Sequence, residues 1–222
     1  MKSRQEMKAL AKDAMRQQRG TSIVTILLLL LVVTAIVLVG FMFTLVNVGL
    51  GMLIIYGGLF FIGLPLEVNA EGIFIKIWNR EKTSANELFS NLNVNLLRKV
   101  GGMLWMILWV SLWSLLLWIP GIVKAYAYSF TPLILADCPN VTARDALKLS
   151  MRMTNGHKMK LFVLSLSFIG WFILSAFTFY ILAVVFVFPY YYAAYAGYYV
   201  ELRDKALADG TITREELYGK LQ

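Results

Sequence analysis

Forty consecutive residues, 161–200, carry no charged side chain. A helix needs about 20 apolar residues to cross a bilayer, so this segment is long enough for two spans joined by a tight turn. Two further blocks have the same character: residues 20–66 are uncharged, and residues 100–136 carry only Lys124. The three blocks predict an all-α polytopic membrane protein, with six transmembrane helices arranged as three hairpins.

The predicted domain organisation follows from these blocks. A basic amphipathic helix covers residues 1–20, a six-span membrane domain covers 21–200, and a polar cytoplasmic tail covers 201–222. Pro120–Gly121 is predicted to form an outer turn, and Pro132 a kink in the fourth span. The predicted spans are approximately 22–43, 50–68, 100–119, 122–137, 161–178 and 182–200.

The basic residues predict the orientation of the chain. Of its 21 Lys and Arg side chains, all but Lys124 lie before, between or after the three blocks. Lys and Arg in short loops favour the cytoplasmic side, so both termini and both polar loops are expected there. If residues 121–136 formed a re-entrant loop instead, the basic residues of 144–160 would face outside, so six crossings are favoured. The net charge of +8 is spread over these loops, which argues against a nucleic-acid-binding protein.

Short amphipathic helices are predicted on the cytoplasmic side. Residues 3–19 are expected to form a helix on the membrane surface, opened by a capping box from Ser3 to Glu6. Its basic face either recognises anionic lipid or only sets the orientation of the chain. Residues 73–78 are expected to form an interfacial segment, and capping spacings predict further short helices at Ser84, Thr142 and Thr213. The basic face of the first helix contains Lys8, Lys12, Arg16 and Arg19.

No catalytic constellation is found. His157 is the only histidine, which excludes paired-histidine metal motifs, and no phosphate-binding glycine loop occurs. We therefore predict no catalytic residue, no metal and no cofactor. His157 is expected to bond helix-end carbonyls or, with Lys158 and Lys160, a lipid phosphate. The single cysteine, Cys138, is expected to stay reduced at the cytoplasmic edge.

Charged residues at the ends of the spans are the remaining polar candidates: Glu67, Lys124 and Asp137. All fall near span boundaries, where side chains reach polar surroundings at little cost. Glu67 and Asp137 are expected to be two solvated interfacial acids, with a shared cation site as the alternative. No acid is predicted at mid-membrane, and this lowers the expectation of a proton-coupled transporter.

Several motifs between residues 100 and 200 resemble those of a family of bacterial integral membrane proteins known only as a domain of unknown function. The resemblance implies a bacterial cytoplasmic-membrane protein but no assigned activity. It extends loosely to the membrane domain found beside some glycerophosphodiester phosphodiesterases, which hints at lipid or envelope work. The motifs are 116–122 (Leu-Leu-Trp-Ile-Pro-Gly-Ile), 128–132, 137–139, 150–158, 161–162, 166–171 and 189–190.

The function expected from these observations is a non-enzymatic protein that organises lipids or partner proteins in the membrane. A small transporter or channel is the alternative, and an enzyme acting on lipid head groups is the third possibility. The expected partners are anionic membrane lipids, together with either a second copy of the chain or another membrane protein.

Overall fold

The structure, a computed structural model, describes residues 2–90 and 92–219, and over these residues it contains helices and no β-strand. The first half of the chain contains six helices. They are α1 (Arg4–Gln17), α2 (Arg19–Thr44), α3 (Val48–Gly58), α4 (Leu64–Trp78), α5 (Glu87–Ser90) and α6 (Leu96–Leu116). A π-helical segment, Leu59–Gly63, joins α3 to α4 without a break, so the two form one long helix.

The second half of the chain contains six more helices. They are α7 (Trp118–Tyr128), α8 (Thr131–Asp137), α9 (Ala143–Thr154), α10 (Lys158–Ala176), α11 (Phe188–Ala208) and α12 (Arg214–Tyr218). A second π-helical segment, Ala183–Val187, leads into α11.

Five helices are long and apolar enough to cross a membrane. The prediction of an all-α protein with membrane spans is therefore confirmed at this level. The five are Arg19–Thr44, Val48–Trp78, Leu96–Leu116, Trp118–Asp137 and Lys158–Ala176.

The predicted sixth span, 182–200, lies within a helical segment of residues 181–208. This segment is not one of the five helices. This segment is a continuous helix, and it contains six tyrosines from Tyr190 to Tyr199. The sixth crossing, and with it the placement of both termini on one side, stays a prediction.

Two local predictions are wrong. The turn between α6 and α7 lies at Leu117, whose backbone is extended, and not at Pro120–Gly121. Pro120 lies in the first turn of α7, where its missing N–H would have no helical partner in any case. Residues 73–78 are not a separate interfacial segment but the end of α4, where Ile73, Phe74 and Ile77 are buried in the protein.

Most predicted caps are confirmed. Ser3 and Thr213 each form a complete capping box with the glutamate three residues later. Thr142 caps α9, and Gly156 follows the helix end with a φ of +74°. The helix expected after Ser84 is only the single turn of α5. The predicted break near Pro132 is the gap between α7 and α8.

The core lies toward the polar-loop end of the bundle, where α1, α4, α8, α9 and α11 pack together. The opposite ends of the long helices are apolar and exposed: Val46 is 82% exposed, Trp118 83% and Phe179 90%. Exposed apolar surface of this extent is typical of contact with lipid. The structure therefore has one end with a packed core, and the other ends of its long helices expose apolar side chains.

Candidate functional site

Two glutamates of α4, Glu67 and Glu71, line an open cavity of about 490 Å³ whose other lining residues come from α6, α7, α8, α10, α11 and the turn between α7 and α8. They are four residues apart, so they lie on the same face of the helix. The remaining wall is apolar and aromatic, and none of the described residues that line it is basic. We call this space the acidic cavity.

Glu71 is a buried acid of α4. It is only 8% exposed, and its Oε2 atom is buried without a hydrogen-bond partner. A buried carboxylate without a partner is costly, so such a group is either protonated or bound to a cation. Glu67 is half-buried on the next turn of the helix.

Aromatic side chains form the wall contributed by α10 and α11. The phenol oxygen of Tyr191 lies 3.4 Å from the Ser165 hydroxyl. The ring of Tyr192 packs 5.2 Å from that of Phe74, and the ring of Tyr195 5.7 Å from that of Phe130. These contacts fix the rings that line the cavity: Tyr191, Tyr192 and Tyr195, together with Phe172 and Phe188.

A second cavity, of about 310 Å³, lies next to the first and is polar. We call it the inner cavity because Asn79, Glu81, Val94 and Asn95, in the loops between α4 and α6, contribute to its wall. Lys76 forms an ion pair with Glu87 there, with Nζ 2.7 Å from Oε2. Buried Lys99 donates a hydrogen bond from Nζ to Asn69 Oδ1 over 2.6 Å.

The two cavities lie between the same three elements. On α6, Lys99 lines the inner cavity and Met103, one turn further on, lines the acidic cavity. On α8, Leu135 lines the inner cavity and Pro132 lines the acidic cavity. Residues of α4 line both cavities. The cavities therefore follow each other along the bundle. The Lys99–Asn69 hydrogen bond lies in the wall of the inner cavity, and α6 is close to α8 there: a Cβ at Gly102 would lie 2.6 Å from Leu135 Cδ1.

Asp137 is not paired with Glu67. Its carboxylate accepts hydrogen bonds from Arg203, over 2.7 Å, and from the Tyr199 hydroxyl, over 2.8 Å. These contacts tie the end of α8 to α11. Burial opposes the charge of Arg203, but the neighbouring Asp137 outweighs it and raises the pKa of the guanidinium. The structure therefore gives Asp137 a partner in the packed core, and Glu67 lies within the bundle.

The other polar residues predicted as candidates lie away from the acidic cavity. The Lys124 ammonium lies 5.0 Å from the centre of the Trp113 ring. The His157 Nε2 lies 3.2 Å from the Lys205 Nζ, and burial, reinforced by Lys205, lowers the pKa of the imidazole. Lys158 is half-buried beside α7, and Lys160 is exposed. The structure does not bring these residues to the acidic cavity.

The four residues of the predicted basic face divide into two groups, and Arg19 begins α2 and is not part of α1, which ends at Gln17. The ammonium of Lys8 turns into the protein, where it donates to the Ser167 carbonyl over 3.2 Å and lies 4.2 Å from the centre of the Phe168 ring. Desolvation, with repulsion from Arg4, lowers the pKa of Lys8. The remaining three are exposed: Lys12, Arg16 and Arg19. The apolar face of α1 packs against α4 and α11, so its buried contacts are with protein.

Sequence reasoning placed Glu67 at a solvated edge and missed Glu71. Both errors arose because the second span was predicted to end at residue 68, whereas the helix continues to Trp78. The signal was present in the sequence: two glutamates at helical spacing, with apolar residues before, between and after them.

The fold and these cavities define a helical protein with several helices suited to a bilayer. Residues 101–206 match the model of a family described as "Protein of unknown function (DUF975)". This match confirms the predicted resemblance to an uncharacterised family. It includes most of the wall of the acidic cavity but neither glutamate.

Comparisons with curated proteins and with solved structures gave no match. The more distant similarity to the membrane domain of glycerophosphodiester phosphodiesterases is not shown.

Proposed function

We propose that the protein is a non-enzymatic membrane protein that binds a cation in the acidic cavity and moves it toward the inner cavity, as a small transporter. The observation that carries the proposal is Glu71, whose carboxylate oxygen is buried without a partner in the wall of a cavity. An ionisable residue inside a membrane helix marks an ion or substrate pathway by default, because its burial is expensive without a function.

The arrangement of the cavities supports movement as well as binding. The inner cavity is lined by polar side chains and loop residues, and the acidic cavity is lined by neighbouring turns of α4, α6 and α8. The hydrogen bond from Lys99 to Asn69 lies in the wall of the inner cavity, one turn of α6 before Met103 of the acidic cavity. A cation that reaches Glu67 and Glu71 would pass this point, where the positive charge of Lys99 opposes its passage. Displacement of Lys99 is then part of the proposed transport step.

Flux measurements test the proposal. Purified protein is reconstituted into liposomes that enclose a pH-sensitive dye, and gradients of protons, Na⁺, K⁺ and organic ammonium ions are imposed in turn. We expect flux of at least one cation in the wild type and its loss in Glu71→Gln. Glu215→Gln is the matched control, because Glu215 is an exposed glutamate of α12, away from both cavities.

Two outcomes contradict the transporter proposal. One is folded wild-type protein that moves no cation of the panel. The other is flux that is equal in the wild type and in Glu71→Gln. A folded state is established beforehand by a single symmetrical gel-filtration peak and by helical circular dichroism.

The organisation of anionic lipid is a second candidate function, favoured by one observation. Lys12 and Arg16 are exposed on α1, Arg19 is exposed at the start of α2, and the opposite face of α1 packs against the bundle. Exposed basic residues near anionic headgroups contribute about 1 kcal/mol each. Native mass spectrometry of the triple Gln variant should show a loss of retained anionic lipid. Unchanged lipid retention would leave these residues as an orientation signal only.

A further inference from the structure

We infer that the acidic cavity takes a lipophilic organic cation, an ammonium or phosphonium centre carried by an apolar body, and not a metal ion. The inference rests on the proposed cation-binding function and adds the chemical class of the ligand.

The charge of the cavity selects a cation. Glu67 and Glu71 are its only charged lining residues among those described. Glu71 is more than nine-tenths buried, lines the cavity, and has an oxygen atom without a partner. Such an oxygen is available to accept a hydrogen bond or an ion pair from a ligand.

The supply of ligand atoms argues against a metal ion. Ca²⁺ takes six to eight oxygen ligands, and Mg²⁺ needs a nearly ideal octahedron. The described residues contain no group of three or more His, Cys, Asp or Glu side chains that could hold a metal ion. Beyond the two carboxylates, the cavity offers chiefly serine and tyrosine hydroxyls, which are weaker ligands. A dehydrated metal ion would therefore lose more than it gains here.

The lining fits an apolar body that carries the charge. Five aromatic rings and two methionines surround the carboxylates, and the cavity volume of about 490 Å³ lies in the range of small-molecule sites. Aromatic faces attract organic cations, most strongly when the cation is desolvated. Methionine adapts its shape to different apolar groups. An organic cation would thus satisfy the charge and the apolar wall at once.

A matched pair of probes tests the inference. Tetraphenylphosphonium and tetraphenylborate have the same shape and opposite charge, so the difference between them reports charge recognition and cancels partition into detergent. Binding is measured by equilibrium dialysis of purified protein, with empty micelles as the blank. We expect binding of the cation, no binding of the anion, and a loss of affinity of about tenfold or more in Glu71→Gln. Glu215→Gln should bind as the wild type does.

A second variant keeps the test decisive if Glu71→Gln does not fold. Ala125 lines the cavity, so Ala125→Leu should fill part of the space and weaken phosphonium binding while both carboxylates remain. Equal binding of cation and anion, or unchanged affinity in both variants, would overturn the inference. Displacement of the probe by millimolar Na⁺ or Mg²⁺ would assign the site to a metal ion instead.

The outcomes separate this inference from the transporter proposal. Flux of protons or Na⁺ that depends on Glu71, without phosphonium binding, would refute the organic ligand and leave the transporter intact. Phosphonium binding without any flux would leave the ligand class intact and refute transport.

Discussion

The guanidinium of Arg203 lies 2.7 Å from the carboxylate of Asp137, so the last residue of α8 is fixed to α11 across 66 positions of sequence. Both side chains are largely buried, at 14% and 18% exposure. The Tyr199 hydroxyl donates to the same carboxylate oxygen. This cluster joins α8 to α11 in the packed core, and Asp137 also lines the inner cavity.

Removal of one partner of this pair should destabilise the fold. Arg203→Met leaves the Asp137 carboxylate partly buried with one donor fewer, and we expect a loss of about 1–3 kcal/mol, between the values for surface and buried ion pairs. Unfolding in detergent followed by tryptophan fluorescence measures the change. Lys148→Gln is the control, since it breaks the exposed pair with Asp145 and should cost no more than about 0.5 kcal/mol. Equal effects of the two changes would show that burial does not strengthen the Arg203 pair.

Position 197, where Gly197 packs against the ring of Trp78, should not accept a residue with a side chain. A Cβ at Gly197 would overlap the indole ring of Trp78. Gly197→Ala is expected to cost about 1–3 kcal/mol through displacement of the ring. Gly170→Ala, also within a helix but with nothing within 4 Å, should be neutral or slightly stabilising. Thermal unfolding of both variants checks this, and a Gly197→Ala protein as stable as Gly170→Ala would contradict it.

The C-terminal helix α12 should be less protected from hydrogen exchange at low pH. The hydrogen bonds from Arg152 hold the pKa of Glu216 below its usual 4.5. A lowered pKa in the folded state means that the contact stabilises α12 above pH 4.5, and that this contribution is lost as the pH falls through the lowered value. Hydrogen exchange of residues 212–217 should therefore accelerate between neutral pH and about pH 3, after correction for intrinsic rates.

Arg152→Gln provides the control for this pH effect. The variant should show the faster exchange already at pH 7, because the partner of Glu216 is gone. Protection of α12 that is the same at both pH values in the wild type would disprove a role for the ion pair.

Cys138 should resist alkylation in the folded protein. Burial, reinforced by the neighbouring Asp137, raises the pKa of the Cys138 thiol to about 12, and the thiol is buried. Since the thiolate is the nucleophile, N-ethylmaleimide at neutral pH should modify Cys138 far more slowly than an exposed cysteine introduced at Asn155. Mass spectrometry measures both rates, and both should become equal in denaturant. Rapid modification of Cys138 in folded protein would show that this region opens readily.

Reporter fusions test the sixth crossing. Reporters at Lys82, Asn155 and Asp209 should all be cytoplasmic, and one at Asn47 should lie outside, since the basic loops favour the cytoplasmic side. If residues 181–208 do not cross, the reporter at Asp209 will lie opposite those at Lys82 and Asn155. That result would refute both the six-span topology and the shared side of the two termini.

The sequence by itself determined the class of this protein and much of its local structure. Long uncharged blocks need helices, because backbone groups in lipid must bond within their own segment. The caps at Ser3, Thr142 and Thr213 depend on hydrogen bonds between residues three positions apart, so spacing alone predicts them.

Tertiary structure decided the length of α4, the partner of Asp137 and the acidic cavity. A stretch such as 69–78 mixes polar and apolar residues, and whether it lies at an interface or inside a bundle depends on which helices pack on it. Glu71 looks like a loop residue when the span ends at 68, and becomes buried because α6, α8 and α11 close around α4. Arg203 meets Asp137 only through the packing of α11 on α8, a contact between residues far apart in the chain that no local pattern encodes.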